Sequence, residues 1–333
     1  MKFFSSIKIR NNISFSNIGI LFLFFLTSLL LISCCKTCFL ARNEITGFSA
    51  GKNKAGEKII TINAGDIRVE FSAFAGGKIL LYSVEGDNVV FDQSQNNKNC
   101  GDYSDFFLNQ SGLPLSIVNS TLRTFDPDKI IITSSLNENF TLTKVMKMNL
   151  NNGDVHVLEK LSNSGTKQKT IYSKNTLNLK PGGFLIIPIN FMSKFKGGFV
   201  ELNNDNELMH TDRIDYFEKY NDLLLVNTNR ALNTIASDSN SGWFAYIRND
   251  VLMIIKYPYF YKRNYLHNYT VKSEFKEKII KLLLFNPNRT VDANKALYTQ
   301  FKFIIIKLDK PVKSFDQVKK ALKKVSIPLM LRR

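Results

Sequence analysis

The sequence predicts an all-β protein, an antiparallel β-sandwich followed by one C-terminal amphipathic helix. Short apolar or alternating segments recur about every ten residues between positions 58 and 310, separated by Gly, Asn, Asp and Pro. No helical pattern alternates with these segments, so the repeating strand–helix–strand units of a parallel sheet are missing. The 333 residues are 44% hydrophobic, which is enough to build a large core.

The N-terminal segment combines positive charge, an apolar run and a cysteine. Three cations precede an uncharged apolar run of 15 residues at positions 18–32. This run is short for a membrane-spanning helix and has the length of a signal-peptide core. It ends in the sequence LISC, which resembles the lipobox, whose Cys becomes the lipidated first residue. We therefore expect residues 1–33 to be a signal peptide and Cys34 the lipid anchor of an exported cell-envelope protein, with a secreted protein or an uncleaved anchor as alternatives.

The rest of the chain divides into three parts. Residues 34–57 are polar and contain three Gly, as expected of a tether. Residues 58–310 form the predicted sandwich. Residues 311–333 are basic and contain the predicted helix, whose start is indicated by a capping-box pattern of Ser314 and Gln317.

Alternation and turn chemistry predict the strands one by one. The strands are expected, in chain order, at residues 58–63, 67–72, 78–84, 89–91, 130–133, 140–148, 155–160, 169–179, 184–190, 223–226, 243–247, 251–257, 278–285 and 297–308. Gly-, Asn- and Pro-containing segments separate them, among them a turn at residues 286–288. The polar segment 92–114 is expected to be a loop. Residues 192–222 are mixed, with a helix or an insertion at 207–220.

Three segments of the chain form an ordered pattern. They are the Gly-Gly hairpin at residues 76–86, the strands and turns at 142–183, and the GWFAY sequence at 242–246. In this order they resemble the early hairpin, the central strands and the late Gly-Trp hairpin of the galactose-mutarotase-like superfamily. The nearest relatives that this resemblance suggests are aldose 1-epimerase-like and DUF4380-type bacterial proteins. It implies a large β-supersandwich over residues 58–310 and a carbohydrate ligand.

The catalytic residues of that superfamily are not evident here. Its active epimerases use a His as general acid and a Glu as base, and the His stands in an N-H-x-x-F-N segment. The nearest segment, residues 173–178, has no His. His210, His267 and Glu274 are the weak candidates that remain, and Glu274 is expected in a Lys-rich turn. The resemblance therefore predicts carbohydrate binding without epimerase activity, and an active sugar epimerase is the alternative.

Aromatic rings and hydrogen-bonding side chains suggest where a sugar binds, because rings stack on sugar faces and polar groups hold the hydroxyls. The hairpin at 243–257 is followed by an aromatic and cationic loop. The candidate ligand-binding residues are Asp102, Arg123, Asp212, Trp243, Tyr259, Tyr261 and Arg263. Trp243 has a second interpretation, as a core residue of its strand.

Composition narrows the possible partners. The net charge is +17, and eight cations with one acidic residue lie between positions 310 and 333. This favours a solvated lysine face, with anionic lipid as an alternative. No nucleic-acid motif, cofactor motif or metal-ligand spacing is present, so no nucleic acid, cofactor or metal is expected. A structural surface lipoprotein without a small ligand is a further alternative, and the oligomeric state stays open.

Overall fold

The part of the chain that the structure describes folds as three antiparallel sheets and one C-terminal helix, which confirms the all-β prediction. The structure is a computed structural model, and it describes residues 49–52, 58–72, 76–90, 102–108, 113–203, 207–209, 216–231, 233–261 and 263–325. None of the helices among these residues has the length and apolar character needed to cross a bilayer.

The first sheet is an N-terminal meander of five strands in sequence order. Its strands are β1 (Ser49–Lys52), β2 (Lys58–Ala64), β3 (Ile67–Ser72), β4 (Lys78–Val84) and β5 (Asp87–Asn88). Gly86, with a φ of 83°, completes the tight turn between β4 and β5. The buried side chains of β2 and β3 alternate with more exposed ones, as expected of a sheet with one face on the core.

The second sheet has ten strands and is the largest layer. In spatial order they are β14 (Phe217–Tyr220), β15 (Leu223–Asn227), β12 (Gly183–Pro188), β17 (Trp243–Arg248), β18 (Val251–Lys256), β21 (Ala296–Lys307), β10 (Val155–Asn163), β9 (Phe140–Met148), β8 (Lys129–Leu136) and β7 (Ile117–Asp126). The predicted hairpin is confirmed, because Trp243 pairs with Lys256 and Arg248 with Val251.

The third sheet has six strands. In spatial order they are β13 (Val200–Leu202), β16 (Thr234–Ser237), β19 (Val271–Lys276), β20 (Ile279–Val291), β11 (Lys169–Leu179) and β6 (Asp102–Leu108). The two central strands, β20 and β11, each pair on both sides.

The largest hydrophobic cluster takes buried side chains from all three sheets, such as Val69, Met253 and Leu282. A second cluster lies between the ten-stranded sheet and helix α1 (Phe315–Val325). In β18 alternate residues enter the two clusters, with Met253 in the first and Ile254 in the second. Since both faces of this strand are buried, its sequence is a continuous apolar run.

Helix α1 begins as the capping pattern predicts. The Gln317 backbone N–H donates to the Ser314 hydroxyl at 3.4 Å, and the Gln317 side-chain oxygen accepts from the Lys313 N–H at 2.6 Å. Val318 and Leu322 are the buried residues of the helix. The amphipathic helix thus covers one face of the ten-stranded sheet and turns most of its lysines outward.

Three local predictions need correction. The turn expected at 286–288 is a bulge within the continuous strand β20, since Ser173 pairs with Asn286 and Ile171 with Arg289. Pairing with β11 before and after the bulge keeps this Pro-containing segment within the strand despite its turn-forming residues. The segment around Glu274, expected to be a Lys-rich turn, is strand β19. Strand β6 lies inside the loop expected at 92–114, because its pairing with β11 outweighs weak local signals.

Candidate functional site

The outward face of the six-stranded sheet carries a group of aromatic and charged side chains where β6 and β11 pair. Ile171 belongs to a buried cluster and Ser173 is also buried. Because side chains alternate along a strand, Tyr172 and Lys174 point to the opposite face. Phe107 is opposite Tyr172 in the register. Asp105, Phe107, Tyr172 and Lys174 are called the aromatic–lysine face below.

The geometry of the aromatic–lysine face combines ring stacking with charge. The rings of Phe107 and Tyr172 are stacked with centroids 4.9 Å apart and planes 8° apart. Lys174 Nζ lies 5.1 Å from the Phe107 centroid and 3.6 Å from Asp105 Oδ2. All four side chains are partly exposed. An aromatic platform beside a carboxylate and an ammonium group is suited to a polyol, whose CH face stacks while its hydroxyls bond to the charges.

A second polar group is enclosed between the two large sheets, and sequence reasoning missed it. Lys144 on β9 and Glu159 on β10 are opposite each other, with Nζ and Oε1 3.0 Å apart. Their side chains are only 1% and 3% exposed. Lys144 Nζ also donates to the Gly77 carbonyl at 3.1 Å. Asn175 donates to Glu159 Oε2 at 3.5 Å, and Asn286 donates to Asn175 Oδ1 at 3.1 Å.

These four residues, Lys144, Glu159, Asn175 and Asn286, are called the buried Lys–Glu cluster below. A buried charge is tolerated when it is paired and hydrogen-bonded, as here. The sequence contains a signal for this cluster, because Lys144 lies in phase with the apolar residues Leu142 and Met146 of the same strand. A charged residue in the apolar phase of a strand indicates a buried ion pair whose partner lies on a neighbouring strand.

The aromatic loop after β18 is held mainly by its own side chains. Tyr259 and Tyr265 stack at 6.0 Å with planes 5° apart, and the Tyr265 hydroxyl accepts from the Phe260 N–H at 2.8 Å. Burial raises the pKa of Tyr265 to about 12. Tyr261 is 74% exposed, and Arg263 borders a cleft of about 330 Å³. Of these candidates, Tyr261 and Arg263 are the most accessible.

Trp243 and Arg123 lie apart from this loop. Trp243 is 8% exposed and belongs to the cluster under helix α1, together with Val318 and Leu322. The structure therefore places the ring in the core, the second of its two interpretations. Arg123 is exposed on β7, the edge strand of the ten-stranded sheet.

The weak catalytic candidates that the structure describes occupy different environments. His267 is exposed in a short 3-10 turn, Leu266–Asn268, with its ring 6.1 Å from that of Tyr269. Glu274 Oε1 lies 3.2 Å from Lys272 Nζ in β19. Glu274 is also opposite Lys281 on the neighbouring strand β20, so its carboxylate has one lysine on its own strand and another on the next.

The remaining candidates lie outside the described residues. They are His210, Asp212, the side chain of Asp102 and the predicted lipidation site Cys34. No group of three metal-ligating side chains occurs among the residues that the structure describes.

Comparison with solved structures decides the fold. A putative aldose 1-epimerase from Escherichia coli K12 has a TM-score of 0.53 and 8% identity, and the match covers 75% of this chain and 99% of that one. A galactose mutarotase-like protein from Clostridium acetobutylicum has a TM-score of 0.53 and 10% identity over 78% and 98% of the two chains. The chain has the galactose mutarotase-like fold. A galactose 1-epimerase from Lactobacillus acidophilus NCFM is also similar, with a TM-score of 0.50, 9% identity and coverage of 78% and 98%.

At these identities the likeness concerns the fold alone. No family model and no curated protein matches the chain, so the DUF4380-type resemblance stays a prediction. Residues 173–178 lie in β11, and Lys174, the second residue of this segment, belongs to the aromatic–lysine face.

Proposed function

We propose that this protein is an exported, lipid-anchored carbohydrate-binding protein that binds sugar on the aromatic–lysine face and has no epimerase activity. The observation that supports it best is the stacked pair of Phe107 and Tyr172 beside Lys174 and Asp105. Lys174 lies in residues 173–178, the segment that is nearest to the His-containing pattern of the active epimerases. The solved structures of similar fold include proteins described as epimerases and mutarotases. The sugar ligand is carried over from that likeness.

The lack of epimerase activity is proposed from the chemistry of the same segment. Exchange of anomers needs one group to protonate the ring oxygen and another to take the hydroxyl proton. A lysine ammonium is a much weaker acid than an imidazolium, so it is a poor substitute for the His of the pattern. The residues opposite Lys174 are Phe285 on β20 and Asp105 on β6. The carboxylate of Asp105 can accept a proton, but neither of these residues replaces the acid that the pattern supplies with His.

Tyr172→Ala is expected to weaken sugar binding by roughly tenfold, the ratio that corresponds to about 1.4 kcal/mol of lost contact. The reason is the loss of one ring of the stacked platform. Calorimetric titration of the full chain in non-ionic detergent with glucose and with galactose measures the effect. Phe191→Ala is the control, because its ring is 86% exposed in the segment between β12 and β13. Equal sugar affinity in wild type and Tyr172→Ala would contradict sugar binding on the aromatic–lysine face.

The alternative of an active epimerase has its own test. Polarimetry of fresh α-glucose and α-galactose solutions follows anomer exchange directly. We expect the rate with protein to equal the spontaneous rate. Suppose instead that the protein accelerates exchange and that His210→Ala or His267→Ala abolishes this acceleration. The protein would then be an epimerase that uses that His as its general acid, and the proposed lack of activity would be wrong.

Cys34→Ser is expected to move the protein from the membrane fraction to the soluble fraction, because the lipid is attached to this thiol in the proposal. Expression in a bacterial host, fractionation and mass spectrometry of the mature N-terminus measure the result. Cys35→Ser is a matched control, one position beyond the expected attachment site. A Cys34→Ser protein that stays fully membrane-bound would contradict lipidation.

The alternative of a structural lipoprotein without a small ligand is tested with a glycan array. An array on which the wild-type protein binds nothing would favour this alternative.

A further inference from the structure

A cleft of about 330 Å³ opens beside the bulge of β20, and none of the residues around it belongs to the aromatic–lysine face. The residues around it come from the aromatic loop, the bulge and the start of β21. They are Phe260, Arg263, Pro287, Asn288, Arg289, Thr290 and Leu297. We call it the arginine cleft. Pro287 and Asn288 are the residues of the bulge that have no register partner on β11, so the local bend of β20 shapes this opening.

Among the described residues, the charge of the arginine cleft has no acidic partner. Two guanidinium groups, those of Arg263 and Arg289, border it, and none of the residues around it is acidic. A narrow adjoining pocket is bordered by Glu159, but that carboxylate is 3.0 Å from Lys144 Nζ. Within the described part of the chain, no carboxylate lies within ion-pair distance of either arginine. Two like charges in a partly desolvated cleft repel each other, and an anion between them relieves that repulsion.

Arg289 is held in place before any ligand arrives. Its Nη1 donates to the Tyr298 carbonyl at 3.0 Å, and its guanidinium carbon lies 4.9 Å from the centroid of the Phe260 ring. Burial, with a contribution from Arg263, lowers the pKa of Arg289. A guanidinium fixed on an aromatic ring retains free N–H groups in a planar fork that matches the oxygens of a phosphate, sulfate or carboxylate. Such preorganisation reduces the entropy lost on binding.

We propose that the arginine cleft is a binding site for a small oxyanion, either free or as the charged group of a larger molecule such as an acidic sugar. Arg263 and Arg289 bind the anion, while Asn288 and Thr290 border it with neutral polar groups. The inference does not depend on sugar binding at the aromatic–lysine face, because it rests on charge and geometry at a different set of residues.

Inorganic phosphate is the first probe, titrated calorimetrically into the full chain in non-ionic detergent at low salt. We expect binding that weakens as NaCl is added. Arg263→Gln and Arg289→Gln are each expected to weaken it by about tenfold or more, as for a lost charge-assisted hydrogen bond. Arg289→Lys, which keeps the charge but loses the fork, is expected to fall between wild type and Arg289→Gln. Arg230→Gln, an exposed arginine on another turn, is the matched control and should bind like wild type.

The outcomes separate this inference from the proposed function. Tyr172→Ala should bind phosphate like wild type, even if it has lost sugar binding. Sulfate and galacturonate, compared with neutral galactose, show which oxyanion is preferred. Phosphate affinity that is unchanged in Arg263→Gln, or that falls equally in Arg230→Gln, would overturn the proposal. Arg263 is exposed, so its replacement tests the site even if Arg289→Gln folds poorly.

Discussion

Glu159→Gln is expected to lower the free energy of unfolding by about 3–5 kcal/mol, the usual cost of removing one partner of a buried ion pair. The substitution keeps the shape of the side chain but leaves the Lys144 ammonium, 1% exposed, without its counter-charge. The Gly77 carbonyl, which also accepts from Lys144, is a neutral group and does not replace a carboxylate. Asn175 would also lose its charged acceptor.

Urea unfolding followed by circular dichroism measures this effect. Glu138→Gln is the matched control, because Glu138 pairs with Lys169 at 2.6 Å but is 48% exposed, and exposed pairs contribute at most about 1 kcal/mol. The double variant Lys144→Met with Glu159→Leu should regain most of the lost stability, since it removes both charges at once. If Glu159→Gln costs no more than Glu138→Gln, the cluster is not a sealed part of the core.

Trp243→Ala is expected to cost about 3–5 kcal/mol of unfolding free energy, the range for truncating a large buried ring. The reason is its position between the ten-stranded sheet and helix α1, in contact with the cluster that includes Val318 and Leu322. Circular dichroism must follow the unfolding, because this residue is the only Trp of the chain. Trp243→Phe, which keeps an aromatic ring in the same space, should cost less.

The same variant distinguishes the two interpretations of Trp243. In the core interpretation the folded fraction of Trp243→Ala binds sugar and phosphate as wild type does. If Trp243→Ala has normal stability but has lost sugar binding, the Trp243 ring is a ligand-binding residue and not a core residue. Arg123→Ala, on the exposed edge strand β7, provides a comparison in which neither stability nor phosphate binding is expected to change.

Local sequence was sufficient where neighbouring residues decide the conformation. The hairpin of β17 and β18 and the capped helix α1 are both present as predicted. Local sequence did not predict the conformation of residues 286–288, because Asn-Pro-Asn is typical of a turn. There the pairing of β20 with β11, at Asn286 before the bulge and at Arg289 after it, keeps the chain extended and reduces the turn to a bulge.

In the candidate sites, too, local sequence predicted some residues, whereas others were found only from the tertiary structure. The loop with Arg263 was found from its composition, but its neighbour Arg289 was not, since they are 26 positions apart and meet only where the bulge of β20 faces the aromatic loop. Likewise, the alternation of β11 predicts which side chains share a face, whereas the pairing of Tyr172 with Phe107 depends on the register with β6.

By itself, the sequence determined the all-β class, the hairpin, the basic C-terminal helix and the order of segments that resembles the galactose-mutarotase-like superfamily. These depend on side-chain period and turn chemistry, which act between residues close in the chain. Only the tertiary structure decided that Lys144 is neutralised by Glu159, that Trp243 is covered by helix α1, and that two arginines border one cleft. The physical reason is that strand register and sheet packing bring distant residues together, and no local pattern specifies those long-range pairings.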